Sequence, residues 1–257
     1  MLYYSQPGEN NKHAIGVASG PSPVGPFTDH GKLIGSDEIG VDISIDQFYI
    51  EEDGHKYMFW GSFRGIWAIE LADDGLSLKP GAGKRKIAGD QYEGTYIHKR
   101  DGYYYLIVST GDFMKDYHVV VGRSRSLMGP YVDRAGRDML GVHHELVVGN
   151  GNGFVAPGHN AEFITDDKGQ DWMLYHTRLE VGPPGVPKLP FSSSPAAGRV
   201  MSVRAASMPA TCLRCPCLRS ACGIAVDAAG AGVLPAGREN SGGIPHGFPP
   251  EFLRIGQ

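Results

Sequence analysis

The stretch 46–62 reads DQFYIEEDGHKYMFWGS and indicates the fold of this chain. A carboxylate, Asp46, precedes a short run of β-forming residues, and Asp53-Gly54 then provides a two-residue turn before the apolar run 57–60. An Asp-Gly pair between two such runs is typical of a tight β-hairpin. The stretch therefore predicts one hairpin that carries the carboxylate of Asp46 at its open end.

The plan of this hairpin recurs along the chain. Its turn glycines are Gly54, Gly102 and Gly169. A further β-like run follows each of the first two hairpins, at 65–71 and 118–122, so each unit predicts an antiparallel sheet of three or four strands. Units that repeat every 40 to 50 residues or so indicate a propeller, with one sheet per blade. Residues 2–18 match the later strands of such a unit, which predicts a first blade without its inner strand.

The composition favours an all-β protein. The 37 glycines and 18 prolines among 257 residues suit many short strands and tight turns. The net charge of −4 is spread without long runs of one sign, so it indicates neither a nucleic acid nor a membrane surface as a partner. No apolar run reaches the roughly 20 residues of a membrane helix. Residues 1–5 lack the features of a signal peptide, which leaves the location open between the cytoplasm and the exterior.

The composition changes abruptly near Val181. All 12 Tyr and all 3 Trp precede residue 176, whereas all four Cys fall within 212–222, in a segment rich in Ala, Gly, Pro and Arg. The cysteine spacing allows a metal cluster or a disulfide pair, but it lacks paired CxxC hairpins and a histidine at zinc-finger spacing. We therefore predict a β-propeller domain at 1–180 and a low-complexity tail at 181–257, poorly ordered or read from a shifted frame.

Two carboxylates lead adjacent hairpins, Asp46 before 47–50 and Glu93 before 94–97. The innermost strands of a propeller open onto its central axis, so equivalent residues of successive blades converge on one cavity. Two acids brought together there repel each other, which raises a carboxyl pKa toward the value that a general acid needs near neutral pH. The alternative is that each acid caps a turn or pairs with a nearby Lys or Arg.

Several motifs, in order, resemble glycoside hydrolase family 43. They are the stretches 45–62, 92–109, 157–160 and 171–176, and the resemblance covers residues 1–180. It implies a five-bladed β-propeller that cleaves arabinose- or xylose-containing polysaccharides with inversion of configuration. The first blade would be incomplete and the last doubtful, because nothing after Arg178 resembles the closing blade. Gln47 stands where the family usually has a proline.

The resemblance assigns roles to the two carboxylates. Glu93 matches the family's general acid, which protonates the leaving glycosidic oxygen, and Asp46 matches the carboxylate that orients this acid and modulates its pKa. Inverting hydrolysis also needs a base about 6.5–9.5 Å from the acid, with water between them. The family places this base on the first inner strand, before residue 1 of this chain, so we expect weak activity at best.

His159 matches the axial histidine that, in arabinan-cleaving members of the family, holds a hydrated calcium or similar ion near the catalytic centre. Calcium prefers oxygen ligands, so the alternative is a hydrogen-bonded structural histidine. His176 is expected to pack or to form a hydrogen bond near the axis.

Aromatic and polar residues near the acids are predicted to contact the sugar. Flat apolar rings with polar rims stack on sugar rings, although aromatic residues of inner strands are mostly core. The predicted contacts are Trp60, Ser62, Phe63, Tyr92, Tyr96, Ser109 and Asn160.

The predicted partner is an arabinan or arabinoxylan oligosaccharide. The run 59–66 and the Gly-His-Asn turn resemble arabinan endo-1,5-α-L-arabinosidases more than β-xylosidases. The alternatives are an exo-acting β-xylosidase or α-L-arabinofuranosidase, a carbohydrate-binding propeller without catalysis, and a scaffold for protein contacts. A pure binding module has no need of two acids at matched blade positions, and a scaffold would expose apolar patches instead.

Overall fold

The structure, a computed structural model, describes residues 1–151, 154–169, 171–179 and 199–204, all within one compact unit that spans Met1–Val226. These residues confirm the predicted all-β class, because they form four antiparallel sheets. The helical elements among them are the four-residue helix α1 (Ser36–Ile39) and two 3₁₀ turns (Glu9–Asn11 and Met139–Gly141). None of the described helices is long and apolar enough to span a membrane.

The first three sheets follow the chain in order. The first contains β1 (Leu2–Pro7), β2 (His13–Ser19) and β3 (Thr28–Gly35). The second contains β4 (Phe48–Glu52), β5 (His55–Trp60), β6 (Ile66–Leu71) and β7 (Arg85–Ala88). The third contains β8 (Glu93–Arg100), β9 (Tyr103–Thr110), β10 (His118–Ser124) and β11 (Glu145–Val148). Each strand pairs with the next, so β4 and β8 are edge strands, and the predicted units of three or four strands are confirmed.

The fourth sheet is centred on β14 (Asp171–Leu179). β12 (Phe154–Gly158) and β13 (Phe163–Thr165) lie along one edge of β14, and β15 (Arg199–Arg204) lies along the other. The chain leaves the sheet between β12 and β13, so the edge strand of this sheet is interrupted at residues 159–162.

The strand β15 departs from the expectation for the tail. It lies within 181–257, where the sequence predicts poor order, yet its six residues pair with β14. The run RVMSVR contains two β-branched valines, Val200 and Val203, which suit a strand beside an open sheet edge. The rest of 181–257, including all four cysteines, lies outside the described residues.

The Asp-Gly turns are confirmed as hairpin turns. Asp53 and Gly54 have φ angles of 52° and 79°, and Asp101 and Gly102 have φ angles of 51° and 72°. Positive φ at both central residues is the type I′ arrangement, whose twist matches that of the flanking strands. Both turns therefore fix the register of the edge strands β4 and β8.

Apolar clusters pack neighbouring sheets against each other. The cluster between the first and second sheets includes Ile15, Leu33, Met58, Trp60 and Ile69. The cluster between the second and third sheets includes Phe59, Ile66, Tyr92, Leu106 and Val120. Successive residues of β5, such as Phe59 and Trp60, enter different clusters because side chains alternate between the faces of a strand. This packing holds β4 and β8, with their acidic residues, near one another.

Candidate active site

The edge strands of three sheets bring the candidate site together. Asp46 lies two residues before β4, Glu93 is the first residue of β8, and His159 directly follows β12. The amide of Gly94 donates a hydrogen bond of 3.3 Å to Oδ2 of Asp46. This bond joins the second and third sheets at the start of their edge strands β4 and β8. Residues far apart in the sequence therefore meet at one place, as the convergence of blades predicts.

Gln47 links the first sheet to the start of β4 by two hydrogen bonds. Its Nε2 donates to the carbonyl oxygen of Tyr3 at 3.0 Å, and its Oε1 accepts from the hydroxyl of Ser5 at 3.0 Å. A proline here could form neither bond, because it has no polar side chain. Glutamine in place of the proline that is usual in the family therefore adds hydrogen bonds between β1 and the residue after Asp46.

The carboxylate of Glu93 is held at both oxygens. The hydroxyl of Ser62 donates to Oε2 at 2.7 Å, and the hydroxyl of Tyr117 donates to Oε1. Ser62 is 5% exposed and Tyr117 is 1% exposed, so bulk water does not compete for these bonds. Two fixed donors define the plane of the carboxyl group, and such positioning is what a proton donor in catalysis requires.

A β-bulge in β8 turns its backbone toward Asp46. The pairing of β8 with β9 shifts by one residue between Glu93 and Tyr96. Gly94 lies in the bulge with a φ of 67°, and a Cβ there would come within 3.3 Å of the His159 ring. Glycine adopts this conformation without steric cost, so the bulge can aim the Gly94 amide at the carboxylate.

His159 lies in the interruption of the fourth sheet, in a left-handed conformation with a φ of 46°. Its amide donates to Oγ of Ser109 at 2.7 Å, and its exposed ring is centred 6.3 Å from the ring of His176. The next residue, Asn160, is 6% exposed and donates from Nδ2 to the carbonyl oxygen of Ala161 at 3.1 Å. The turn thus presents the His159 ring to solvent while Asn160 stays buried beneath it.

A cavity of about 390 Å³ opens over Asp46 and this turn. Its lining includes Asp46, Thr95, Tyr96, His159, Asn160 and Glu162. A second cavity, of about 360 Å³, lies at the opposite end of β4, around Glu52 and Tyr104. Both volumes fall in the range of small-ligand pockets. We place the site in the cavity over Asp46, because Asp46 and Gly94, the residue after Glu93, both line it.

Three buried polar atoms of the site have no hydrogen-bond partner among the described residues. They are Oγ1 of Thr95, Oδ1 of Asn160 and Nε2 of His176. An unsatisfied buried polar group costs roughly 1–3 kcal/mol. Thr95 and Asn160 line the cavity, although their unpartnered oxygens are themselves buried.

Burial raises the pKa of the Asp46 carboxyl above its ordinary value, and the negative charge of Glu93 raises it further. A positive charge on His159 and the hydrogen bond from Gly94 act in the opposite direction without outweighing burial. Burial also lowers the pKa of His176, and the neighbouring His159 lowers it further. The site therefore disfavours the ionised form of Asp46. Two neighbouring carboxyl groups of which one is harder to ionise are expected of a functional pair of acids.

Two of the predicted sugar contacts are corrected by the structure. Trp60 and Tyr92 are both 0% exposed and belong to the core clusters. The indole of Trp60 donates to Oγ of Ser44 at 3.1 Å, and the hydroxyl of Tyr92 is 2.8 Å from Nδ1 of His144. Neither ring has a free face for a sugar, because the sheets on both sides cover it.

The other predicted contacts fall into two groups. Ser62 and Ser109 are buried and are engaged with Glu93 and with the amide of His159, so they position the site rather than line it. Phe63 is half-buried with a φ of 50°, and Tyr96 and Asn160 line the cavity. A sugar contact by these three residues stays a prediction.

Sequence reasoning missed Tyr117 and Thr95. Tyr117 follows a loop with no recognisable motif, so only its hydroxyl contact with Glu93 reveals it. Thr95 had a weak signal, because it is the second residue after Glu93 and shares its strand. On β8 the bulge brings Thr95 to the cavity wall.

Asp46→Asn is expected to raise the melting temperature at pH 7. The pKa of Asp46 is higher in the folded chain than in the unfolded chain, so ionisation at neutral pH disfavours the folded state. Below the unfolded value of about 3.9 the acid is protonated in both states, and the difference between the two proteins should vanish. Asparagine keeps an oxygen for Gly94 and tolerates the φ of 58°.

The measurement is thermal unfolding of both proteins at pH 7 and near pH 3.5, in a chelator so that no divalent cation contributes. Asp101→Asn is the matched control, because Asp101 also has a positive φ but lies in an exposed turn. A lower melting temperature for Asp46→Asn at pH 7 would contradict the destabilising burial of this charge.

Comparison with known proteins gives a consistent picture. Residues 1–189 match the family model described as Glycosyl hydrolases family 43. The probable arabinan endo-1,5-alpha-L-arabinosidase B of Aspergillus fumigatus is 32% identical over 209 residues, which cover 63% of this chain and 56% of that protein. The extracellular endo-alpha-(1->5)-L-arabinanase 2 of Bacillus subtilis is 27% identical over 225 residues, with 70% and 48% covered. This chain thus spans about half the length of the curated relatives it matches.

Solved structures agree with these sequence matches. The Cellvibrio cellulosa alpha-L-arabinanase complexed with arabinohexaose superposes with a TM-score of 0.64 at 27% identity, over 79% of this chain and 69% of that chain. An exo-1,5-alpha-L-arabinanase from a bovine ruminal metagenomic library gives a TM-score of 0.61 at 26% identity, over 79% and 68%. This structure is described as exo-acting, whereas the Bacillus subtilis relative is described as endo-acting, so both modes of action occur among the similar proteins.

Proposed function

The chain belongs to glycosyl hydrolases family 43, and on this premise we propose that it hydrolyses α-1,5-linked arabinan with inversion of configuration. The observation that carries the proposal is the Glu93 carboxylate, oriented by two buried hydroxyls beside Asp46. A carboxyl group is an efficient proton donor only when its position relative to the glycosidic bond is fixed. A protein that merely bound sugar would have no use for such an arrangement.

In this proposal Glu93 protonates the glycosidic oxygen as the bond to the anomeric carbon breaks. Asp46, linked through the amide of Gly94, orients the strand that carries Glu93. Inversion needs a second carboxylate that activates water from the opposite face of the sugar. We do not give this role to Asp46, because it contacts the residue next to Glu93 rather than facing Glu93 across a sugar. We assign no other carboxylate of the described residues as the base, so the turnover that we propose is weak.

We extend the proposal to the architecture. The four described sheets would be blades of a five-bladed propeller, with their edge strands β4, β8 and β12–β13 turned toward the central axis. This orientation is supported by the meeting of Asp46, Glu93 and His159 at one cavity or beside it. The boundary at residue 180 remains a proposal, and the pairing of β15 favours a β domain that extends to Arg204.

The test is hydrolysis of debranched arabinan, with xylan and the nitrophenyl glycosides of arabinose and xylose alongside. Endo-action is expected to release a ladder of arabino-oligosaccharides, whereas exo-action would release one product from the start. The anomer formed first, observed by proton NMR, should have the configuration opposite to that of the substrate. Turnover of xylan or xyloside alone would favour the β-xylosidase alternative. Binding of arabinan without turnover of any substrate would favour a carbohydrate-binding module.

We also propose that His159 helps to hold a hydrated calcium ion near Asp46. The described residues contain no group of three or more His, Cys, Asp or Glu arranged to bind a metal, so water would supply most of the ligands. Calcium takes six to eight oxygen ligands. Thr95 and Asn160, each with a buried side-chain oxygen that has no partner among the described residues, line the same cavity as His159. When bound, the ion would supply positive charge beside the carboxylates.

Calcium is accordingly expected to raise the melting temperature of the chelator-treated protein, and the gain should be lost in His159→Ala. A ligand at about 100 times its Kd stabilises the folded state by roughly 2.7 kcal/mol. Thermal unfolding with calcium or magnesium measures the effect without substrate. His30→Ala is the control, because His30 is exposed on the first sheet. An equal calcium effect in wild type and His159→Ala would exclude this site.

A further inference from the structure

Tyr117 lies beneath the candidate acid and is enclosed on several sides. It directly precedes β10 and is 1% exposed. Its ring is centred 5.7 Å from that of His176 and 6.4 Å from that of Phe113, edge to face in both cases. The hydroxyl donates to Oε1 of Glu93. The ring thus spans from a surface loop to the catalytic carboxylate.

The surroundings leave this ring one position. The carbonyl oxygen of Asp112 accepts the amides of Lys115, Asp116 and Tyr117, which closes the loop tightly around Asp112. On the other side Gly158 lies close to the ring, and a Cβ at Gly158 would be 1.9 Å from Cε1 of Tyr117. The loop and the glycine together fix the hydroxyl relative to Glu93.

We infer that Tyr117 is a positioning residue that holds the Glu93 carboxyl in the plane from which it protonates the leaving oxygen. This inference rests on the proposed function. Ser62 holds the other oxygen, so removal of the Tyr117 hydroxyl would leave a single contact and allow the carboxyl group to rotate. A phenol both donates and accepts hydrogen bonds, so it can stay in contact whether Glu93 is ionised or protonated.

The protonation state of Tyr117 suits this role. Burial raises the pKa of its phenol far above the ordinary value, and the hydrogen bond to Glu93 raises it further. Tyr117 therefore keeps its proton throughout the working pH range and does not compete with Glu93 as an acid.

The test is Tyr117→Phe, which keeps the ring and its packing but removes the hydroxyl. A natural arabinan linkage has a poor leaving group and depends on protonation, whereas a nitrophenolate leaves with little help from an acid. We expect kcat on arabinan to fall about 10- to 100-fold with KM changed less than about threefold. On nitrophenyl arabinofuranoside we expect kcat to change less than about threefold.

Tyr131→Phe is the matched control. Tyr131 is buried like Tyr117, but its hydroxyl donates to the carbonyl oxygen of Leu127, away from the site. Loss of the Tyr131 hydroxyl should lower stability but should change kcat on arabinan and on nitrophenyl arabinofuranoside by the same factor. Equal losses on both substrates for Tyr117→Phe, in step with its melting temperature, would overturn the positioning role.

A spectroscopic measurement tests the contact independently of turnover. In protein labelled with ¹³C at glutamate carboxyls, the signal missing from Glu93→Gln identifies Glu93. We expect this signal to shift in Tyr117→Phe and to stay in place in Tyr131→Phe. An unchanged Glu93 signal in Tyr117→Phe overturns the inference. A shifted signal in a protein that cleaves no arabinan would support the contact and overturn only the proposed function.

Discussion

Glu93→Gln is expected to lower arabinan hydrolysis by about 10²- to 10⁴-fold, because glutamine cannot deliver the proton that the leaving oxygen needs. The loss should fall on kcat rather than on KM, since the side chain keeps its size and its place between Ser62 and Tyr117. Nitrophenyl arabinofuranoside should be affected far less, because its leaving group needs little protonation. Steady-state kinetics on both substrates measures the separation.

The control for this prediction is Glu51→Gln. Glu51 lies on the neighbouring edge strand β4 with a side chain that is 53% exposed, so its replacement should change neither substrate's kinetics. The melting temperatures of both variants should stay close to that of wild type. If Glu93→Gln kept more than a tenth of the arabinan activity, Glu93 would not be the general acid.

The hairpins and the meeting of the two acids could be predicted because they depend on local chemistry. Asp53-Gly54 and Asp101-Gly102 adopt positive φ at both positions, which Asp tolerates and Gly adopts freely, and each turn fixes the register of its strands. Once two hairpins share one plan, the residues that lead them occupy equivalent places. The contact of Asp46 with the amide after Glu93 follows from that equivalence.

The burial of the aromatic residues could not be predicted in the same way. Trp60 precedes Gly61-Ser62 at the end of β5, where the sequence allows either a core ring or a sugar platform. The choice depends on which face of β5 meets the first sheet, and that is a property of sheet packing rather than of the strand. The role of Tyr117 could not be predicted for a related reason, since its partner Glu93 lies 24 residues earlier in the sequence and in another strand.

Gly158→Ala is expected to lower the free energy of unfolding by about 3 kcal/mol, near the upper end of what overpacking a core costs. The added Cβ would lie 1.9 Å and 2.2 Å from two ring carbons of Tyr117, where van der Waals contact needs about 3.5 Å or more. The backbone does not oppose alanine, because Gly158 is not among the residues with positive φ. Denaturant unfolding measures the loss.

Gly83→Ala is the control, since Gly83 is exposed and has no atom within 4 Å of the added carbon. Its effect should stay within about 0.5 kcal/mol. A Gly158→Ala protein as stable as this control would show that the ring of Tyr117 moves freely, contrary to the enclosed position described above.

Double variants separate the ring from its hydroxyl. Combining Gly158→Ala with Tyr117→Ala removes the ring and therefore the clash. The double variant should lose less free energy of unfolding than the two single variants lose together, by at least about 1 kcal/mol. Combining it with Tyr117→Phe keeps the ring, so the clash and its full cost should remain. If the folded fraction of Gly158→Ala relieves the clash by displacing Tyr117, it should also lose arabinan hydrolysis selectively, as Tyr117→Phe does. Stability and catalysis would then depend on the same contact, because the space that glycine leaves at 158 is the space that the positioning ring occupies.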